Sequence, residues 1–286
     1  MDLVAWIADA AHPIEVDPAG LLDGPADLLR AHEHLLTTDL ERWLSEGPAS
    51  SGTGDAQVYH SAAVWTGADC RIDHGVVLDA REGPIVLGPV TQVFPHTWIR
   101  GPFYAAGDCQ LLGGRVGGGT ALGPHCRIRG EVESTVFLGY DNKAHDGFVG
   151  HSYVGDWVNL GALTTTSDLK NNYGEVQLEM EGRKVPTGSK KVGSFIGDHA
   201  KTRIGCMLNT GTIVGLGANL FADDAVFGKW IPDFSWGGSA RSGRYELERF
   251  LQTAEVVFGR RGVAWTPQMQ GALRAVYAAA TAAAER

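Results

Sequence analysis

Residues 196–220 read IGDHAKTRIGCMLNTGTIVGLGANL, and in that stretch Ile196, Thr202, Leu208, Val214 and Leu220 fall six apart. Val226 extends the series, and five of the six are aliphatic. The same step recurs at Leu87, Val93, Ile99, Ala105 and Leu111, at Val58, Val64, Cys70 and Val76, and in shifted phase at Val116, Leu122 and Ile128. Val154 and Leu160 repeat it once more, and glycine follows several of these positions, at Gly88, Gly123, Gly155, Gly161, Gly197 and Gly215. A period of six fits neither an α-helix nor the alternation of a half-buried strand. A glycine-rich β-sandwich would produce one such run by accident, but not four. The spacing predicts a mainly β chain folded as a parallel β-helix of hexapeptide repeats. Each short strand sends one aliphatic side chain inward, three strands separated by tight turns close a triangular coil, and stacked coils bury what one coil alone cannot.

The bulk properties agree. The chain has 286 residues, 44% hydrophobic and 20% charged, which is globular composition. Its 39 glycines imply many tight turns. A net charge of −9 argues against nucleic acid as a partner. The cysteines Cys70, Cys109, Cys126 and Cys206 form no CxxC pair and read as reduced thiols. The opening MDLVAWIADAA lacks the basic region of a signal peptide, and no apolar run reaches membrane-spanning length. A cytoplasmic protein with no membrane partner is the expectation.

The ends differ from the middle. Residues 25–45 place Leu28, Leu29, His32, Leu35, Leu36, Leu40, Trp43 and Leu44 on one helical stripe behind Pro25. After IPDFSWGGSARSG, Leu247, Phe250, Leu251, Ala254, Val257 and Phe258 form a second stripe, and Met269, Leu273, Val276, Tyr277 and Ala280 a third. Residues 1–55 are therefore read as an N-terminal helical segment and linker, 56–238 as the β-helix, and 239–286 as a C-terminal helical segment that caps it or packs in an oligomer. Residues 168–193 break the six-residue step with a basic excursion, read as a hairpin around Gly182. The run GGRVGGG at 113–119 lacks the lysine and Ser/Thr of a P-loop and reads as turns.

The chemistry concentrates in NKAHDGFVGHSYVGDWVNLGA, residues 142–162, where His145 and His151 lie six apart. By residue type they suit metal ligation, general base catalysis or a solvated turn.

This block, with LKNNY at 169–173 and FSWGG at 234–238, resembles the acetyltransferase half of the bifunctional glucosamine-1-phosphate acetyltransferase / N-acetylglucosamine-1-phosphate uridylyltransferase family, and sugar nucleotidyltransferase-like proteins related to it. The resemblance spans about residues 25–265. It implies a left-handed β-helix, a homotrimer with sites between subunits, acetyl-CoA as acyl donor, and an amino sugar, its phosphate or its nucleotide as the small-molecule acceptor. Fewer than sixty residues precede the β-helix, without the glycine-rich entry loop of the family's nucleotide-binding domain, so nucleotidyl transfer is not expected. Residue by residue, the resemblance puts the catalytic base at His145 and its orienting carboxylate at Glu131. It assigns Arg115, Asn159, Phe148 and Asp146 to substrate binding, and Ala162, Lys201, Arg203 and Ala222 to the cofactor. Phe148 stands where the family has a tyrosine, and Glu133 where it has a lysine, which implies an altered acceptor.

Such a site runs on simple chemistry. The attacking amine must be neutral, which a histidine base near pKa 7 promotes. A carboxylate on the other ring nitrogen fixes the tautomer, backbone N–H groups stabilise the oxyanion, and neither a covalent intermediate nor a metal is required. Two alternatives stand beside this reading. One is a non-catalytic trimeric scaffold. The other is a zinc site resembling that of the γ-class carbonic anhydrases, with His96, His125 or His199 joining His145 and His151; their spacing departs from that family's close histidine pair.

Overall fold

A computed structural model describes residues 22, 24–180, 182–222, 227–238 and 243–284. The rung expected at Val226 and the opening stretch 1–11 lie outside the described residues.

The chain is a parallel β-solenoid of about ten turns, with one N-terminal helix and C-terminal helices. Its strands stack in three columns. One starts at Gln57–Tyr59 and reaches Phe148–Gly150, the second runs from Arg71–Ile72 to Ser235–Gly237, and the third from Val64–Thr66 to Trp230–Ile231. Registers pair Arg127 with Asn142, Asn142 with Asn159, and Lys201 with Asn219, so one coil takes 15 to 18 residues here. That is close to three hexapeptides, which is why a six-residue beat closes a triangle.

The column of inward side chains is the core. Leu87, Ile99, Ala105, Leu111, Val116, Leu122, Ile128, Val154 and Leu220 are fully buried along it. Thr202, the polar member of its series, is accommodated because its hydroxyl bonds Thr164 Oγ1 at 2.7 Å and accepts from Gly161 N at 3.0 Å. The glycine after an inward residue has a steric cause at the turn. A Cβ on Gly123 would lie 1.7 Å from the Leu138 carbonyl oxygen of the next coil.

The excursion leaves after strand Thr165–Thr166, whose coil partner is Met207–Leu208. Its hairpin pairs Gln177–Met180 with Arg183–Pro186, and the turn contains Gly182 at φ 77°. Helix α1, Pro25–Glu46, has its first turn closed by Asp27, whose carboxylate accepts from Gly24 N. It lays Leu36 and Leu40 against Trp65, Val86, Tyr104 and Ala121. The buried stripe is narrower than the sequence suggests, because Leu35 and Trp43 face outward. Helices α2, Leu247–Arg260, and α3, Pro267–Ala284, follow the last coil. No helix among the described residues is long and apolar enough to cross a membrane.

Rather than only covering an end, α2 lies along one corner of the solenoid. That corner carries left-handed turn residues at His125, Tyr140, Trp157, His199 and Phe234. Their rings stack: His125 on Tyr140 at 4.6 Å and Tyr140 on Trp157 at 4.1 Å. Phe258 of α2 stacks on Trp157 at 4.2 Å, and Phe250 meets Phe234 edge-on at 5.1 Å. His199 is buried in this ladder, with Nδ1 unpartnered. Burial, and then the charge of Lys201, push its pKa down to about 3.

A histidine held neutral in the fold stabilises it above the unfolded-state pKa of about 6.5, and that contribution is lost as pH falls below it. His199→Phe, which repeats the ring already tolerated at Phe234, should remove this term. Between pH 7 and pH 5 the native protein is expected to lose about 2 kcal/mol more stability than the variant. Urea unfolding at both pH values measures it, and equal losses would contradict the buried neutral ring.

Candidate functional site

The three corners carry different chemistry. At the first, between Asn142–Lys143 and Phe148–Gly150, His145 is exposed, and among the described residues its imidazole has no hydrogen-bond partner. Its carbonyl accepts from Lys143 Nζ at 2.9 Å, and Lys143 is itself buried and bonded to the Arg129 carbonyl, with burial pulling its pKa to about 8. Asp146 is engaged by Arg129 Nε at 3.1 Å.

Glu131 does not orient His145. Register places Trp98, Arg115, Glu131 and Phe148 in one outward row across the strands. Arg115 Nη1 lies 3.5 Å from the Glu131 carboxylate, and its guanidinium sits over the Trp98 ring. The carboxylate therefore stands on a flat face and spends its charge on arginine, while His145 projects from the corner. Among the described residues, the partner of Glu131 is thus Arg115, and no hydrogen bond joins it to His145 as the sequence reading expected. Phe148 folds over Gly150, where a Cβ would meet its ring at 2.3 Å.

The second corner holds what the sequence reading passed over. His151 sits at φ 44°, and its Nδ1 is 2.7 Å from Asp168 Oδ2. The two are 17 residues apart, which is one coil, so stacking sets the aspartate beside the histidine. Both side chains are mostly buried, at 20% and 13% exposure. Glu133 completes a cluster with them within 4.8 Å, and Lys191 Nζ lies 3.7 Å from Glu133. The stem of the excursion, bridged at Leu169 and Lys191, fixes Asp168 on one side and Lys191 on the other. Burial raises the Asp168 pKa, but the His151 hydrogen bond and the charges of His151 and Lys191 outweigh it and hold the carboxyl below its usual value. An ionised Asp168 accepts a hydrogen bond from Nδ1–H, the tautomer that leaves Nε2 as the ring's acceptor nitrogen.

The same trio could hold a cation, being the one group of three ligating side chains among the described residues, but the Lys191 ammonium competes for Glu133. The other histidines considered for zinc do not join it within the chain. His125 pairs with Asp108 at 2.6 Å, His199 is buried in the aromatic ladder, and His96 is exposed.

The third corner adjoins Asn159 and Lys201, which register pairs side by side. Asn142 donates to Asn159 Oδ1 at 2.9 Å. Lys201 Nζ donates to the His199 carbonyl, and burial lowers its pKa to about 8. Arg203 is half-buried, with Nε unpartnered. Ala162 and Ala222 are half-buried backbone positions. The Ala162 carbonyl accepts from Gly205 N, and Ala222 N donates to Gly237 O. Of the site residues expected from the sequence, the structure thus gathers Arg115, Glu131 and Phe148 in one row and Asn159 with Lys201 in another, with His145 and Asp146 at the corner that leads into Phe148.

The chain is 30% identical over 96 residues to a bifunctional sugar-1-phosphate nucleotidylyltransferase/acetyltransferase of Sulfurisphaera tokodaii. It is 32% identical over 100 residues to the bifunctional protein GlmU of Methanococcus vannielii, and 29% over 100 to that of Methanococcus maripaludis. Each match covers 34% of this chain, a narrower span than residues 25–265, and 24% of the relative's own length. No family model matches. The similarity therefore concerns about a quarter of each of these bifunctional proteins.

Asp168→Ala should release the His151 tautomer. Long-range 15N–1H spectra of the histidine rings are expected to show His151 protonated at Nδ1 in the native protein and a tautomer mixture in the variant. An unchanged His151 pattern would mean that Asp168 does not select the tautomer.

Proposed function

We propose that the protein is an acyl-CoA-dependent N-acyltransferase, with acetyl-CoA as donor and an amino sugar, its phosphate or its nucleotide as acceptor, and that His151 rather than His145 is its general base. The observation that carries this reading is the 2.7 Å contact between His151 Nδ1 and Asp168, which meets the requirement that His145 lacks. The homologous segment in relatives named as acetyltransferases supports the reaction class. Completion of the cleft by neighbouring copies in a homotrimer is part of the proposal.

In this scheme the acceptor amine attacks the thioester carbonyl, a C–N bond forms, and His151 Nε2 takes the amine proton. The tetrahedral oxyanion collapses, the C–S bond breaks, and the thiolate leaves, taking its proton from the imidazolium. Asp168 stabilises that imidazolium without itself being protonated. Binding both substrates in one cleft supplies much of the acceleration. Glu133 stands beside the base and is countered by Lys191. This balance favours an acceptor whose amine or hydroxyls meet the carboxylate, and it disfavours a phosphate at that point.

Thiol release from acetyl-CoA with a panel of amino sugars and their phosphates tests the proposal. His151→Ala should lower kcat/KM by about 100- to 10,000-fold, with His145→Ala within a few fold of the native protein. The reverse order would return the base to His145. No turnover with any amine, and acetyl-CoA binding indifferent to both variants, would favour the scaffold.

A further inference from the structure

A cavity of about 420 Å³ opens between α1 and the outer face of the third column of strands. Small-molecule sites usually enclose roughly 300–1,000 Å³. Trp43, Trp65 and Tyr104 wall it together with Pro48 and Pro89, and Asp39 of α1 joins them. Its buried side is the apolar cluster of Leu36, Leu40 and Val86. The indoles of Trp43 and Trp65 stand at 84° with centroids 5.4 Å apart, so they form two adjoining walls and not a stack. Trp65 is pinned there, because its Nε1 donates to the Pro48 carbonyl at 2.7 Å. Strand register sets Tyr104 two levels from Trp65, through Val86.

Packing of α1 does not account for this lining. Trp43 is 44% exposed, so much of its indole stays outside the core. Asp39 lies in the middle of α1, too far from either end to answer the helix dipole. No cation pairs with it among the described residues, and Arg42, on the next turn, is bonded to Glu46. The cation–π contacts among the described residues are elsewhere, with Arg81 over Tyr59 and Arg115 over Trp98. Aromatic ring faces carry the negative end of a quadrupole. Three rings and a carboxylate therefore border one space to which the chain itself supplies no positive charge. A neutral apolar ligand would gain nothing from Asp39, and an anion would be repelled by it. A compact, strongly hydrated cation would lose its water against the apolar side. An alkylated ammonium ion suits every wall, because its charge is spread over methyl groups that pack on rings.

We propose that this cavity binds a small quaternary ammonium compound, choline-like in its chemistry. Trp43, Trp65 and Tyr104 box the alkylated nitrogen, and Asp39 balances its charge from the rim. The site shares no residue with the His151 cluster and does not rest on acyl transfer.

Isothermal titration of the full chain with choline, and with its neutral isostere in which a tert-butyl group replaces trimethylammonium, tests the site. One choline per chain is expected, bound at least tenfold more tightly than the isostere, about 1.4 kcal/mol. Trp43→Ala should weaken choline binding about tenfold or more, and Asp39→Asn at least about threefold. Both side chains are exposed, so neither substitution empties the core. Glu41→Gln, which removes the same charge from α1 outside the cavity, should leave binding unchanged. No heat from folded protein up to about 10 mM choline, equal binding of the isostere, or undiminished binding by either Trp43→Ala or Asp39→Asn would overturn the proposal.

Discussion

Parallel strands that hydrogen-bond only to the coil above and the coil below constrain everything else in this molecule. Each coil offers its inward side chains no partner of its own, so Leu111 is buried only because Val93 and Ile128 lie in register on either side of it. The consequence is a positional rule: a residue and the one 15 to 18 places on occupy neighbouring levels of the same edge or face. Side chains remote in sequence become neighbours by arithmetic, without loops reaching across the fold.

That rule produces the chemistry. Asp168 stands beside His151 because one coil separates them, and Asn159 beside Lys201 because the excursion is inserted between two levels without disturbing the stack. The excursion does more than decorate the surface, since its stem brings Lys191 to Glu133 and so closes one side of the histidine cluster. On the opposite corner the left-handed turn residues make a ring ladder, and α2 adds Phe250 and Phe258 to it. The same helix carries Arg260 and Arg261 over the solenoid basic residues. Two corners of one scaffold thereby carry different side chains, one a carboxylate-paired histidine and one a ring ladder beside basic residues.

His145 and His151 show where residue-type reasoning and stacking diverge. Both are glycine-flanked histidines in turns of one short block. What separates them is invisible locally: a carboxylate one coil later for His151, and none for His145. The offset was available as a signal, because the six-residue beat implies a coil near eighteen residues, and counting forward from His151 leads to the start of the excursion. Glu131 shows the complementary case. Its register with Arg115 gives it a nearer and permanently charged partner.

The order of the strands, the identity of the inward residues and the glycine-bearing turns were legible in the sequence, because a period of six leaves the backbone no other way to bury one aliphatic per strand. So was the helical character of both ends, through their amphipathic stripes. The sequence also marked the 142–162 block as the place to look. Only the tertiary structure decided which histidine has a carboxylate, which face of α1 is buried, and that α2 lies along a corner instead of across an end. Those outcomes depend on contacts between levels of the stack and between helix and solenoid, whose side-chain directions are set by register and turn geometry, not by the order of residues along the chain.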